Sequence, residues 1–175
     1  MTPRVELVAL DAATLRSLAE GDLAAANRTA PVALTPYLAG PECQGVWRIR
    51  ARQVVEDPPS AAWVTRIVWD PDRGAAVGRA GYHGPPDEHG MVEVGYSVDP
   101  DLRRRGYARA AMQVLLDRAI AHPDVRVLRA TISPDNEPSL NLVASFGLER
   151  NGEQWDEEDG LEYIFEIPTP TPTSG

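Results

Sequence analysis

A stretch of sixteen residues, Val94–Arg109, carries backbone and side-chain groups suited to holding a phosphorylated ligand. It reads Val-Gly-Tyr-Ser-Val-Asp-Pro-Asp-Leu-Arg-Arg-Arg-Gly-Tyr-Ala-Arg, so a strand pattern ends at an Asp-Pro turn and a helix pattern begins near Tyr107. Amides at the start of a helix have no partner within the helix, and the helix dipole makes this end positive. Because Gly106 and Ala108 carry no bulky side chain, a diphosphate can approach these amides directly. The segment therefore predicts a pyrophosphate site.

The arginines of this segment suit an anionic ligand. Arg103, Arg104, Arg105 and Arg109 cluster in a chain whose formal net charge is −9, and they can donate charge-assisted hydrogen bonds to phosphate oxygens. An ordinary helix start with solvated arginines remains an alternative, because the short Arg-x-x-Gly-x-Ala pattern is not specific alone. The acidic total argues against a nucleic-acid partner, since nucleic-acid binders need a broad basic face.

Further motifs surround the loop. They are Glu93-Val-Gly-Tyr-Ser-Val-Asp-Pro, Pro134-Asp-Asn-Glu-Pro-Ser and Ala144-Ser-Phe-Gly-Leu. With them, residues 63–167 resemble the GNAT N-acetyltransferase superfamily, and particularly its RimJ/RimL-like branch, which acetylates the N-termini of ribosomal proteins. The resemblance implies an acyltransferase that moves an acetyl group from the co-substrate acetyl-CoA to a primary amine.

The resemblance also implies which residues bind acetyl-CoA. Backbone groups at the end of one strand would pair with the pantetheine arm, the arginine-rich loop would surround the pyrophosphate, and an asparagine and a serine would lie along the arm. These residues are Tyr96, Ser97, Val98, Arg103, Arg104, Arg105, Gly106, Tyr107, Ala108, Arg109, Asn136 and Ser139. Such a site needs no metal, and none of the three histidines has a partner at a recognised ligand spacing.

Acetyl transfer to an amine needs a neutral nucleophile and a proton for the departing thiolate. The resemblance makes Glu93 the candidate base, with pairing across a sheet as the alternative role. Ser139 is the available hydroxyl near the thiolate, although serine is a poor acid. Val143 stands where many relatives carry a tyrosine, and Thr131 stands where the RimI type carries a glutamate, so the acid is left open.

The acceptor is open among several classes. A protein or peptide N-terminus and a small amine, such as an aminoglycoside, polyamine or amino acid, both fit, and a catalytically silent CoA-binding module is a third alternative. Four consecutive acidic residues, 156–159, lie in the last predicted turn. They favour a cationic acceptor if they border the acceptor cleft, and otherwise they form a solvated turn. The oligomeric state is open, with a homodimer as one alternative.

The elements that position these residues are read from hydrophobic periodicity and turn residues. Strands are predicted over 5–10, 63–69, 75–82, 91–98, 125–132, 148–155 and 161–167, and helices over 11–19, 22–28, 46–58, 107–121 and 137–146. This order predicts an α+β (mixed α/β) fold. Its centre is a mixed, mostly antiparallel sheet of six to seven strands, flanked by helices on both faces.

Length and composition place the chain among globular proteins. With 175 residues, of which 43% are apolar, it is predicted to form one domain over residues 1–167. Residues 168–175, rich in proline and threonine, are predicted to be a disordered tail. The sequence shows neither a signal-peptide pattern nor an apolar run near the roughly 20 residues of a membrane span, so we expect a cytoplasmic protein without a membrane partner. The single cysteine, Cys43, is predicted to lie in a loop without a chemical role.

Overall fold

The computed structural model describes residues 1–170, which form seven strands and five α-helices. The strands are β1 (Glu6–Val8), β2 (Arg66–Asp70), β3 (Ala75–Tyr82), β4 (Met91–Val98), β5 (Val127–Ile132), β6 (Glu149–Asp156) and β7 (Gly160–Pro168). The helices are α1 (Ala12–Ala19), α2 (Leu23–Thr29), α3 (Pro41–Glu56), α4 (Tyr107–Ala121) and α5 (Glu137–Ser145), with short 3-10 turns at Pro58–Ala62 and Pro100–Leu102.

The sheet has the strand order β1-β2-β3-β4-β5-β7-β6. The pairs β1–β2, β2–β3, β5–β7 and β6–β7 are antiparallel, and β4–β5 is parallel. The predicted α+β class with a mixed, mostly antiparallel sheet is therefore confirmed. Both ends of β3, β4 and α4 agree with the sequence prediction, and the other predicted strands differ by three residues or fewer at either end.

Two compact units divide the described chain. The first contains Met1–Pro85 and Gly95–Val114, and the second contains residues 86–94 and 115–170. β4 and α4 each contribute residues to both units. The expectation of a single domain over residues 1–167 stays a prediction. No helix among residues 1–170 has the length and apolar character needed to cross a membrane.

The first unit buries its three helices in one core with strands β2 and β3. Aspartates cap the first two helices, because the carboxylate of Asp11 accepts from the amide of Thr14 at 2.8 Å and that of Asp22 accepts from the amide of Ala25 at 2.9 Å. The buried core residues are Leu15, Leu18, Ala26, Leu34, Leu38, Ala39, Cys43, Trp47, Ile67 and Ala76. The helices of this unit thus provide the packing that supports β3.

Helix α3 corrects the prediction in both its start and its buried face. It begins at Pro41, five residues earlier than expected, because proline suits the first turn of a helix. Ile49 and Val55, predicted on the apolar face, are 58% and 67% exposed, whereas Trp47 is fully buried. Cys43, predicted in a loop, lies on this helix and is also fully buried. Val54, in contrast, packs against the core of this unit, so hydrophobic periodicity located the buried face of α3 only in part.

The second unit joins β5, β6, β7 and α5. In α5 the side-chain oxygen of Asn136 accepts from the amide of Ser139 at 3.3 Å, which makes Asn136 the N-cap. The predicted start of the tail at Pro168 was wrong, because Pro168 pairs with Val127 as the last residue of β7. Thr169 is buried, and its hydroxyl donates to the carbonyl of residue 125 at 2.7 Å. Residues 171–175 of the predicted tail lie outside the described chain.

Candidate functional site

The predicted phosphate loop is a continuous segment of the first unit between the end of β4 and the start of α4. Asp99 follows β4, and its carboxylate accepts from the amide of Asp101 at 3.0 Å, which caps the short 3-10 turn. The Asp99 amide donates to the carbonyl of Val77 on β3 at 2.9 Å. The first half of the loop is therefore held both by its own turn and by the neighbouring strand.

The second half of the loop contains two residues with left-handed backbone conformation. Gly106 has a φ of 84°, and Arg104 has a φ of 62°, which costs a residue with a side chain roughly 1–2 kcal/mol. Within residues 1–170, Arg104 is the sole residue other than glycine with a positive φ. Arg103, just before Arg104, is extended, so the backbone changes direction at Arg104 and again at Gly106, and turns of this kind can direct amides toward one anion-binding concavity. This backbone, followed at once by α4, suits a diphosphate.

The four arginines of the loop and the first turn of α4 are exposed. The side chain of Arg103 already has a partner within the protein. Its Nε donates to the carbonyl of Val98 at 3.2 Å and so helps hold the loop against the end of β4. Exposed arginines raise the local positive potential in an acidic chain, although they do not fix a ligand's geometry. The backbone therefore provides the shape of this candidate site and the side chains provide the charge.

Tyr107 holds the start of α4 through its side chain. The ring is buried, and the hydroxyl donates to Oδ2 of the buried carboxylate of Asp70 at 2.6 Å. The other oxygen of Asp70 accepts from the amides of Asp72 at 2.9 Å and Arg73 at 3.0 Å. The hydrogen bond from Tyr107 is the largest of the causes that lower the pKa of Asp70. Burial is the largest of the causes that raise the pKa of Tyr107. The hydroxyl of Tyr107 is thus already hydrogen-bonded to Asp70. The backbone amide of Tyr107 is the group that can donate to a phosphate.

Ser97 has a side-chain partner that the sequence did not indicate. The hydroxyl of Tyr37 lies 2.5 Å from the Ser97 hydroxyl, and either oxygen can be the donor. Tyr37 belongs to the loop between α2 and α3, which the sequence marked only as irregular because of its prolines and glycines. The contact joins positions 60 residues apart, so no local pattern signals it. Burial raises the pKa of the Tyr37 hydroxyl.

The candidate base, Glu93, lies in the second unit. It is half-buried on β4, and the parallel register places it beside Arg129 of β5. Arg129 donates its Nε to Oε2 of Glu166 on β7 at 3.0 Å. A cationic neighbour across the sheet is what the alternative structural role of Glu93 requires, so both roles stay open.

The remaining predicted residues are on or beside α5 in the second unit. Asn136 uses its side-chain oxygen as the helix cap, which leaves its NH₂ group as the donor for a ligand. Ser139 is half-buried in the first turn. Val143, at the position where related enzymes carry tyrosine, is fully buried, so α5 has no hydroxyl there. Among residues 1–170 no group of three or more histidine, cysteine, aspartate or glutamate side chains could hold a metal ion.

The Tyr107–Asp70 hydrogen bond predicts a pH-dependent stability difference. Tyr107→Phe should lower the free energy of unfolding by about 1–3 kcal/mol at pH 7, because it removes a buried hydrogen bond to a charged group. A carboxyl with a lowered pKa stabilises the fold above its unfolded pKa, near 3.9, and this contribution disappears as pH falls through the folded pKa. Denaturant titrations at pH 7 and pH 3 should therefore show the difference shrinking. Tyr163→Phe, which keeps the ring that Arg150 contacts, is the control; a difference independent of pH would contradict the assignment.

Comparison with known proteins gives the family of the chain. A family model described as "Acetyltransferase (GNAT) domain" matches residues 12–149. The uncharacterised N-acetyltransferase YjdG of Bacillus subtilis is 33% identical over 81 residues, 46% of this chain and 48% of that protein. An L-2,4-diaminobutyric acid acetyltransferase of Nocardia farcinica is 33% identical over 118 residues, 62% of this chain and 60% of that protein. The chain spans about half the length of the first of these curated relatives.

Solved structures show the same fold. The ribosomal-protein-S5-alanine acetyltransferase of Vibrio fischeri superposes with a TM-score of 0.64 at 20% identity, covering 94% of this chain and 92% of that one. At this identity the likeness concerns the fold alone. The family model, in contrast, matches most of the sequence itself. The chain therefore belongs to the GNAT acetyltransferase domain family, and the expected class of acyltransferase is confirmed at that level.

Proposed function

We propose that this protein transfers the acetyl group of acetyl-CoA to a primary amine. The observation that carries the proposal is the backbone of the loop before α4, where two left-handed residues, Arg104 and Gly106, lead directly into a fifteen-residue helix. Such a loop provides several amides and the positive end of a helix dipole to one diphosphate. Family membership supplies the reaction, and the loop supplies a reason why a coenzyme A diphosphate is bound here.

The end of β4 is the proposed site of the pantetheine arm. An extended ligand can add to a strand through backbone hydrogen bonds, and Tyr96, Ser97 and Val98 are the residues we assign to this role. The carbonyl of Val98 already accepts from Arg103, so a ligand would share or replace that bond. In the second unit, the NH₂ group of Asn136 and the hydroxyl of Ser139 are the proposed side-chain contacts of the co-substrate.

The chemistry requires one base and one proton donor. The neutral amine attacks the thioester carbon, the C–S bond breaks, the amine loses a proton and the thiolate gains one. We assign the first proton transfer to Glu93, directly or through water, because its half-buried carboxylate lies on the strand that leads to the pantetheine residues. Ser139 stays a weak candidate for the second.

The acceptor is a primary amine whose size the relatives do not define. One relative is named for L-2,4-diaminobutyric acid, and one solved structure with the same fold is named for a ribosomal protein. A free amino acid or a polypeptide N-terminus therefore both suit the proposal. Cytoplasmic location and a homodimeric state stay predictions from the sequence.

The acidic turn between β6 and β7 bears on the charge of the acceptor. The carboxylate of Asp156 accepts from the amides of Asp159 at 2.9 Å and Glu158 at 2.8 Å, and these bonds hold its pKa below the ordinary value. The side chain of Asp156 thus stabilises the turn, which fits the alternative of an ordinary solvated turn. The side chains of residues 157–159 are exposed, and we propose that they raise the local concentration of a cationic acceptor.

The phosphate loop can be tested with a pair of glycine substitutions. Gly106→Ala places a Cβ 3.0 Å from Cδ of Pro3 and disturbs the loop, whereas Gly74→Ala introduces the same left-handed strain at an exposed turn with no atom within 4 Å. Both should lose roughly 1–2 kcal/mol of stability. Isothermal titration should show CoA affinity reduced about tenfold or more in Gly106→Ala alone, which corresponds to one lost charge-assisted contact. Equal CoA affinity in both folded variants would refute this placement.

The base can be tested with Glu93→Gln. Loss of a general base should lower kcat by about 10²-fold or more, while CoA affinity measured by titration stays unchanged. Glu88→Gln, at an exposed position of the same unit, is the matched control. A wild-type rate in Glu93→Gln would leave Glu93 as the sheet partner of Arg129. If CoA binds and wild type acetylates no amine in a broad panel, the protein is a silent CoA-binding module.

The acidic turn is tested by neutralising residues 157–159 while keeping Asp156 as the turn residue. The triple variant Glu157→Gln, Glu158→Gln, Asp159→Asn should raise the KM of a cationic acceptor about two- to fivefold at low ionic strength, since exposed charges act weakly. The effect should vanish at high salt, and the KM of acetyl-CoA should not change. An acceptor KM that responds neither to the variant nor to salt would mean that the turn is only solvated.

A further inference from the structure

Arg79 on β3 carries a buried nitrogen without a hydrogen-bond acceptor. Its Nε is shielded from solvent, and among residues 1–170 no atom accepts a hydrogen bond from it. Burying a donor of a charged group without a partner is unfavourable, so native proteins rarely keep one unless a ligand completes it. The first unit therefore contains a donor to which residues 1–170 supply no acceptor.

The same unit satisfies another buried arginine, which makes the contrast informative. Arg50 on α3 donates its Nε to the hydroxyl of Thr65 at 3.1 Å, and its Nη1 donates to the side chain of Gln53 at 2.9 Å and to the carbonyl of His83 at 3.2 Å. Neutral oxygens are thus sufficient to fix an arginine in this part of the fold. Among residues 1–170 no such oxygen accepts from Nε of Arg79.

Arg79 lies alongside the end of β4. The carbonyl of Val77 accepts from the amide of Asp99, and a Cβ on Gly78 would lie only 2.2 Å from the carbonyl oxygen of Ser97. β3 and β4 are therefore in direct backbone contact at the residue before Arg79, and only glycine allows this approach. The contact brings Arg79 next to the strand end that carries Ser97.

Two hydroxyl groups complete the cluster. Tyr37 and Ser97 share one hydrogen bond of 2.5 Å, and the thiol of Cys43 is a second hydrogen-bond partner of the Tyr37 hydroxyl. When Tyr37 donates to Ser97, the Ser97 proton remains for another acceptor. Burial is the largest of the causes that raise the pKa of Tyr37, and the hydrogen bond with Ser97 and the positive charge of Arg79 both lower it. Thr35, two residues before Tyr37, has a second buried hydroxyl that finds no partner in the described chain.

We propose that Arg79, Tyr37 and Ser97 form a carboxylate-binding subsite that selects primary amines of the amino-acid type as acceptors. The proposal rests on the acetyl transfer proposed above and names the class of acceptor for it. A carboxylate has two oxygens, which match one guanidinium N–H and one hydroxyl, and it supplies the negative charge that the cluster lacks. The acceptor then carries one amine for acetylation and one carboxylate for recognition, and a plain amine leaves Arg79 Nε unsatisfied.

The test compares amines that differ by one carboxylate. The pairs are 1,3-diaminopropane with 2,4-diaminobutyrate, putrescine with ornithine, and cadaverine with lysine. For each pair, kcat/KM is measured by release of the CoA thiol from acetyl-CoA, and binding to the CoA-loaded protein is measured by calorimetry. Wild type should prefer the carboxylate member of at least one pair by about tenfold or more, as a charged hydrogen bond implies.

Variants assign the preference to the cluster. Arg79→Gln should reduce kcat/KM and affinity for the preferred diamino acid by about 10- to 100-fold and leave its plain diamine unchanged. Arg79→Lys keeps the charge without the forked geometry and should fall between, and Tyr37→Phe should lose about two- to tenfold. Arg48→Gln, at an exposed position on α3, should behave as wild type. Melting curves without ligand show whether each variant is folded, and removing the unpaired donor should not lower the midpoint.

Three outcomes separate this inference from the proposed reaction. Turnover of amines without a carboxylate preference, or with a preference that Arg79→Gln retains, overturns the subsite and leaves acetyl transfer intact. A carboxylate preference in binding that Arg79→Gln abolishes, in the absence of any turnover, supports the subsite and contradicts acetyl transfer. If Arg79→Gln does not fold, the preference must be reduced in both Tyr37→Phe and Arg79→Lys, and wild-type selectivity in both overturns the proposal.

Discussion

The buried hydrogen bond between Tyr107 and Asp70 is the constraint on which the candidate phosphate loop depends. It fixes the first residue of α4 to the β2–β3 turn, and the bond from the Asp99 amide to Val77 fixes the other end of the loop to β3. Between these points Arg104 adopts a left-handed conformation that it would not adopt by preference. Because both ends are held, the loop amides are oriented before a ligand arrives, and binding does not have to order them.

Local rules predicted much of the fold. The limits of β3, β4 and α4 agree with the predictions, because alternation, periodicity and turn residues act over a few positions. Helix α3 failed for the converse reason. Its buried face is set by what packs on it, and Trp47 with a hydrogen bond from its ring nitrogen to the Leu38 carbonyl outweighs a stripe of aliphatic residues. Tertiary packing therefore overrode the periodic signal.

The candidate site divides in the same way. The continuous segment from Tyr96 to Arg109 was visible in the sequence, because its strand, turn, glycine and helix follow one another directly. The side chains that support it were not visible. Tyr107 meets Asp70 across 37 positions, and Tyr37 meets Ser97 across 60, and nothing in the local composition distinguishes these residues from ordinary turn or packing residues. A contact between distant positions depends on the topology of the whole unit.

The buried polar groups of the first unit fall into two kinds, and the difference bears on specificity. Asp70 receives hydrogen bonds from one hydroxyl and two amides, so its charge is fully compensated and serves the architecture. Among residues 1–170 no atom accepts a hydrogen bond from the buried Nε of Arg79, although Arg50 shows that this unit can satisfy an arginine with neutral oxygens. A buried donor that lacks an acceptor gains most from a ligand that supplies one, and a carboxylate also supplies the opposite charge. The half-buried Arg79, on the strand whose Gly78 contacts the Ser97 carbonyl, therefore suits the proposed selection of an acceptor by its carboxylate better than selection by its amine alone.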